Sequence, residues 1–251
     1  MMSSYPSRRF DTLTHAGTDE AGKGDYMGPL VVAGVWGNPA TCQALADLGV
    51  CDSKLISSDT KTRALAKQIV TYLPPEQWAV LVIAPEAYNQ RIESLKQEKK
   101  TLNHLMCEAH SAVLWKLLSG CHTNHCAEPP SSLVVDKFSQ RPGALQQVFN
   151  QALKRLPSTL QHVKLLECEK AESQSTMVAA ASILARASYL AALEKLSETW
   201  GGATFRSGAG SPTMQAVQAL IRQHQGTHTT EALLHATVKY HFKSTLAFLQ
   251  K

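Results

Sequence analysis

An α/β fold is predicted by three features of this chain. Short strand-like runs alternate with amphipathic helical stretches, acids recur at three of the strand ends, and one long alanine-rich segment supplies a helix able to pack closely on a sheet. The first run lies in "HAGTDEAGKGDYMGPLVVAGVW", which reads as two strands joined by a glycine-rich turn, with Asp19 and Glu20 ending the first. Ser58 as N-cap and apolar Leu65, Ile69 and Leu73 predict an amphipathic helix stopped by Pro74 and Pro75. "WAVLVIAP" then reads as a buried strand. "EAYNQRIESLKQ" and "TLNHLMCEAHSAVLWKLLSG" read as helices, the second ending on Gly120, and a polar loop is expected over 121–131.

The pattern repeats in the second half. "SSLVVDKF" is a strand that delivers Asp136, and "GALQQVFNQALKRL" is the helix after it. "HVKLLECEKAES" is a further strand with Glu169 and Glu172 beyond it, followed by the alanine-rich helix from Thr176. "SPTMQAVQALIRQHQG" onward is a helical extension with a loop at 225–229. Residues 1–15 read as a flexible polar tail and 16–251 as one domain with a helical C-terminal part.

Composition limits the function classes. With 251 residues, 44% hydrophobic and 18% charged, the chain has ordinary globular content and is not a disordered polymer. Six cysteines are too few for a disulfide scaffold. No run of about 18 apolar residues stands out as a membrane span, and the N-terminus lacks a secretory apolar core, so a cytoplasmic protein without membrane association is expected. A net charge of +5 favours a polyanionic partner without requiring one. No obligatory protein partner is evident.

In α/β sheets, ligands gather beyond strand ends, so Asp19, Glu20, Asp136 and the acids of "EKAES" can converge from distant positions. Unpaired carboxylates brought together repel, and the usual remedy is a divalent cation with oxygen preference, Mg2+ or Mn2+. Two such ions can activate water and stabilise the leaving oxygen of a phosphodiester. Taken singly, each acid serves as well as a turn former or helix cap, and Glu169 as a solvated charge. Gly22, Lys23 and Gly24 permit close backbone approach to a phosphate, though a lone "GKG" is also a plain turn and no P-loop pattern is present. "DSK", Asp52 to Lys54, precedes a helix start that can hold a phosphate or be simply capped. "CHTNHC" contains enough donors for zinc, but at cramped spacing, and a polar surface loop is the better reading of Cys121–Cys126.

Together these stretches resemble the prokaryotic type 2 ribonucleases H, the ribonuclease HII and HIII group. "GTDEAGKGDYMGPLVVAGV", "DSK", "VVDKF", "EKAESQSTMVAAASILAR" and "VKYHFKST" occur in the family's order, from about residue 16 to about residue 245. The resemblance implies a ribonuclease H-like fold with a mixed central sheet, and metal-dependent endonucleolytic cleavage of RNA in RNA–DNA hybrids. It implies Asp19, Glu20, Asp136 and Glu172 as catalytic metal ligands. Gly22, Lys23 and Gly24 match the segment touching the sugar-phosphate backbone, and Lys54 a phosphate contact. Lysine between the two glycines, glutamate in "KAES" and the ending "KYHFKST" are nearer ribonuclease HIII than HII. Only about sixteen residues precede the first motif, where HIII enzymes generally carry an extra substrate-binding domain. Alternatives are HII-like incision at single ribonucleotides embedded in DNA, a related nuclease acting on DNA alone, and a non-catalytic hybrid-binding module.

Overall fold

In the computed structural model, which describes residues 8–51, 56, 58–139 and 143–249, the central sheet follows directly from the apolar runs. Its strands are β1 (His15–Ala21), β2 (Leu30–Gly37), β3 (Trp78–Ile83), β4 (Ser132–Asp136) and β5 (Lys164–Cys168), in the order β3-β2-β1-β4-β5. β4 runs parallel to both β1 and β5. β1 and β2 are neighbours linked by residues 22–29, too short for a crossover, so they form an antiparallel pair and the sheet is mixed. β2 is buried along its whole length, as its unbroken "LVVAGVW" requires.

"WAVLVI" does form a strand, but not a buried one. β3 lies at the sheet edge, and Val82 is 48% exposed. An edge position covers such a strand less completely than a central one, a distinction its apolar sequence does not record.

The helices are α1 (Pro39–Asp47), α2 (Asp59–Tyr72), α3 (Pro85–Gln97), α4 (Leu102–Thr123), α5 (Ala144–Leu153), α6 (Ala171–Gln174), α7 (Thr176–Thr199), α8 (Ser211–Gln223), α9 (Thr230–Thr237) and α10 (Leu246–Leu249). Ser58 caps α2 by accepting the Lys61 N–H, as its sequence predicts. α1 is an addition to the sequence reading, although its signature is in the chain: Asn38 accepts from Thr41 N, and Pro39 occupies the first turn. α4 continues through Gly120 to Thr123, and the left-handed residue beyond it is His125 at φ 51°. Gly120 carries no positive φ, so it does not act as the helix stop.

The chain divides into two compact units that do not follow chain order. One comprises residues 1–20, 32–81 and 103–187, and the other residues 21–31, 82–102 and 188–251. In the first, Gly17 lets β1 lie against α7: a Cβ there would come within 2.5 Å of Val178 N. Residues 8–14, expected as tail, are tied down, with Phe10 N donating to Gln174 O and Thr176 N to Asp11 Oδ1.

The second unit has its own core, in which Tyr26, Met27, Val217, Leu220, Leu233, Leu234 and Val238 cluster. Asn89 on α3 ties this unit's helices together, donating to His235 O and Val238 O and accepting from Tyr240 N. Among the described residues α7 alone is long and apolar enough to cross a membrane, but 72% of its apolar window is buried within the protein, as befits a core helix.

Candidate active site

Asp19 and Glu20 stand in the last turn of the pleat of β1, and Asp136 is the final residue of β4. Thr18 pairs with Val135 in the parallel ladder, so Asp19 and Asp136 each follow the same rung. Parallel pairing therefore delivers acids from two segments more than a hundred residues apart to one end of the sheet. Glu172 comes from α6, a single short turn after β5. Asp136 Oδ1 accepts the Ala171 N–H at 2.9 Å, which docks that turn beside β4. Glu172 is 6% exposed.

The carboxylates sense each other. Burial holds the Asp19 carboxyl well above the ordinary carboxylate range, the charge of Glu20 raises it further, and Glu172 adds to the effect. Hydrogen bonds with Ser182 and from the Glu20 N–H oppose this without reversing it. Crowded, desolvated acids of this kind are an unfinished site, since a divalent cation with oxygen preference would relieve the repulsion. Their oxygens are not drawn into one tight cage. Among the described residues, no three of the four acids bring ligand atoms within 4.8 Å of one another. Glu169, the other acid of "EKAES", points elsewhere: it is 80% exposed and pairs with Lys137 at 3.4 Å.

Sequence reasoning passed over His110. This side chain on α4 is fully buried, its Nδ1 is 2.8 Å from Thr18 Oγ1, and its Nε2 is 3.3 Å from Glu20 Oε2. Its ring stacks on Phe138 with centroids 5.0 Å apart. It therefore stands behind the Glu20 carboxylate, its buried Nε2 at ion-pair distance but without a hydrogen bond. A lone histidine on an apolar helix, 92 positions from Thr18, gives no sequence signal of this role.

The glycine-rich segment lies in the second unit. Gly22 has φ +88°, and a Cβ there would fall 2.2 Å from Pro29 O, so only glycine fits. Gly24 is exposed, and a Cβ there would meet nothing within 4 Å. Lys23 between them is half-buried. Downstream, Gly28 at φ +81° needs glycine because Leu193 Cδ2 is 2.4 Å from its Cβ position.

Lys239 of "VKYHF" is buried and donates from Nζ to Asp25 O at 2.9 Å and to Gly28 O at 2.7 Å. Lys239 N also donates to Tyr26 O, and Gly28 N to Thr237 O, so the near-terminal motif clamps the segment following "GKG". Lys54, with Asp52 and Ser53, lies outside the described residues. The donors of "CHTNHC" do not form a metal group: α4 runs through Cys121 and His122, and Cys121 hydrogen-bonds to Cys126.

Acids at the neighbouring ends of β1 and β4, with Glu172 docked beside them, in a β3-β2-β1-β4-β5 sheet fit a metal-dependent nuclease of the ribonuclease H type. The family model described as Ribonuclease HII matches residues 16–245, and the chain belongs to that family. It is 34% identical over 250 residues to Ribonuclease HIII of Protochlamydia amoebophila (strain UWE25), covering 99% of this chain and 72% of the relative. It is 30% identical to Ribonuclease HIII of Chlamydia trachomatis serovar D, over 93% of this chain and 69% of that one. A crystal structure of Bst-RNase HIII in complex with Mn2+ superposes with a TM-score of 0.76 at 29% identity, covering 95% of this chain and 70% of that chain. Ribonuclease HII in the PCNA complex from Archaeoglobus fulgidus superposes with a TM-score of 0.68 at 27% identity, covering 92% and 96%.

Proposed function

We propose that this chain cleaves the RNA strand of RNA–DNA hybrids with two divalent ions, Mg2+ or Mn2+, leaving 5′-phosphate and 3′-hydroxyl ends. The observation that carries the reading is the delivery of Asp19 and Asp136 to one end of the β1–β4 ladder, with Glu172 docked beside them, in a fold shared with ribonucleases HII and HIII. Asp19, Glu20, Asp136 and Glu172 are the residues that would hold the ions. Bound there, such ions supply charge neutralisation at the scissile phosphate and activation of the attacking water.

The rest falls to the chain itself. Asp136, tied to Ala171 N, keeps Glu172 and β4 in register, and His110 stands behind the Glu20 carboxylate. Gly22 makes the turn that begins after β1, and Gly24 leaves its backbone uncovered for a sugar and its 2′-hydroxyl. Lys23 and Lys54 contact phosphates, which makes binding dependent on salt and insensitive to base sequence.

The test is cleavage of two matched duplexes under Mg2+ or Mn2+, one with a continuous RNA strand against DNA and one with a single ribonucleotide in DNA. Preference for the continuous hybrid, with 5′-phosphate ends, is the expected result. Preference for the single ribonucleotide would move the protein to HII-like incision, and cleavage of neither would leave a binding module.

A further inference from the structure

A second constellation of metal-binding side chains stands apart from the four acids. Asp11, His15 and Cys42 come from the segment before β1, from β1 itself and from α1, and their ligand atoms all lie within 4.8 Å of one another. His15 is 1% and Cys42 2% exposed, while the Asp11 side chain, at 18%, leaves a way in.

Two of the three donors, His15 and Asp11, are already oriented from behind. His15 Nδ1 lies 3.0 Å from Leu13 O, and since a carbonyl only accepts, that nitrogen carries the proton. Nε2 is thereby left as the acceptor: it takes the Ser175 hydroxyl at 2.7 Å and lies 3.8 Å from Asp11 Oδ1. The Asp11 carboxylate is fixed in turn by Thr176, which donates from N at 2.9 Å and from Oγ1. A histidine whose other nitrogen is bound to a backbone carbonyl, beside a carboxylate itself held by hydrogen bonds, is the second layer that metal ligands need.

We propose that Asp11, His15 and Cys42 form a binding site for a thiophilic divalent cation, zinc(II) by the chemistry of the donors. Sulfur and imidazole nitrogen select zinc over Mg2+, which takes oxygen. One thiolate and one carboxylate cancel the charge of the ion, so the buried complex carries no net charge. Ser175 Oγ, 2.7 Å from His15 Nε2, or a water completes four ligands. Binding replaces two hydrogen bonds, the one His15 Nε2 accepts from Ser175 and the one between Cys42 and Asp11, turns the Ser175 hydroxyl proton away and releases the thiol proton to solvent. Its consequence is structural: the ion would fasten residues 11–15 and α1 where Ser175 and Thr176 begin α7.

The full chain, stripped with chelator, is titrated with Co2+ and then Zn2+. One equivalent of Co2+ should give a thiolate-to-cobalt charge-transfer band that Zn2+ displaces. Cys42→Ser should lose the band. Asp11→Asn, at the partly exposed position, should keep the circular dichroism of the parent and weaken Co2+ binding tenfold or more. Asp19→Asn should leave the band in place, which separates this site from the acidic cluster. Absence of the band at saturating Co2+, or a band untouched by both Cys42→Ser and Asp11→Asn, overturns the proposal.

Discussion

Lys239→Met isolates what the clamp of the near-terminal motif contributes. Burial pulls the Lys239 ammonium down from 10.5 to about 7, with the charge of Asp25 opposing the drop. The unfolded chain therefore holds this proton up to 10.5 while the folded chain releases it near 7, and stability rises with pH across that window and is flat below it. At about 1.4 kcal/mol per pH unit the full window corresponds to about 5 kcal/mol, and the part between pH 7 and 9 to about 2 kcal/mol. The variant loses this slope. Separately, it orphans the carbonyls of Asp25 and Gly28, at a pH-independent cost of about 1–3 kcal/mol each. Urea unfolding of parent and variant at pH 7 and pH 9, in chelator, reads both effects. Differences between the two proteins cancel the cysteines, whose burial-raised thiols act in the opposite direction. The parent should gain about 2 kcal/mol over the variant between the two pH values. A difference that does not change with pH would refute a largely neutral Lys239 and leave a charged clamp.

Asp136→Asn should abolish cleavage while hybrid affinity, measured without turnover, changes little. Asp19 keeps its proton longer folded than unfolded, so the metal-free protein loses stability as pH rises above 3.8. Asp19→Asn should therefore melt higher than the parent at neutral pH in chelator and no longer be stabilised by Mn2+. His110→Ala should reduce activity about 10–100-fold through Glu20, with a matching rise in the Mn2+ concentration needed, while KM for hybrid stays near the parent value. Gly24→Ala should leave Tm nearly unchanged, because nothing meets its Cβ, yet weaken hybrid binding; unchanged binding would remove Gly24 from the substrate surface.

The sequence made the acids visible because each ends or follows a short strand, and parallel pairing of β1, β4 and β5 turns that local pattern into a shared edge. What it hid has one physical character. His110 and Lys239 act through partners 92 and more than two hundred positions away, and their side chains look like a core histidine and a surface lysine until the tertiary contacts exist. Burial of β3 was misread for the same reason, since an apolar strand does not encode which of its edges is paired. The metal donors make the point most sharply. "CHTNHC" places four donors within six residues, yet α4 carries two of them and, although Cys126 returns to Cys121, no three of the four gather at ligand distance among the described residues. Asp11, His15 and Cys42 are spread over three segments with no spacing to mark them, and tertiary packing gathers them, with Thr176 holding Asp11, Ser175 meeting His15 and α1 supplying Cys42. Linear proximity of ligands is thus a poor guide when a helix passes through the motif.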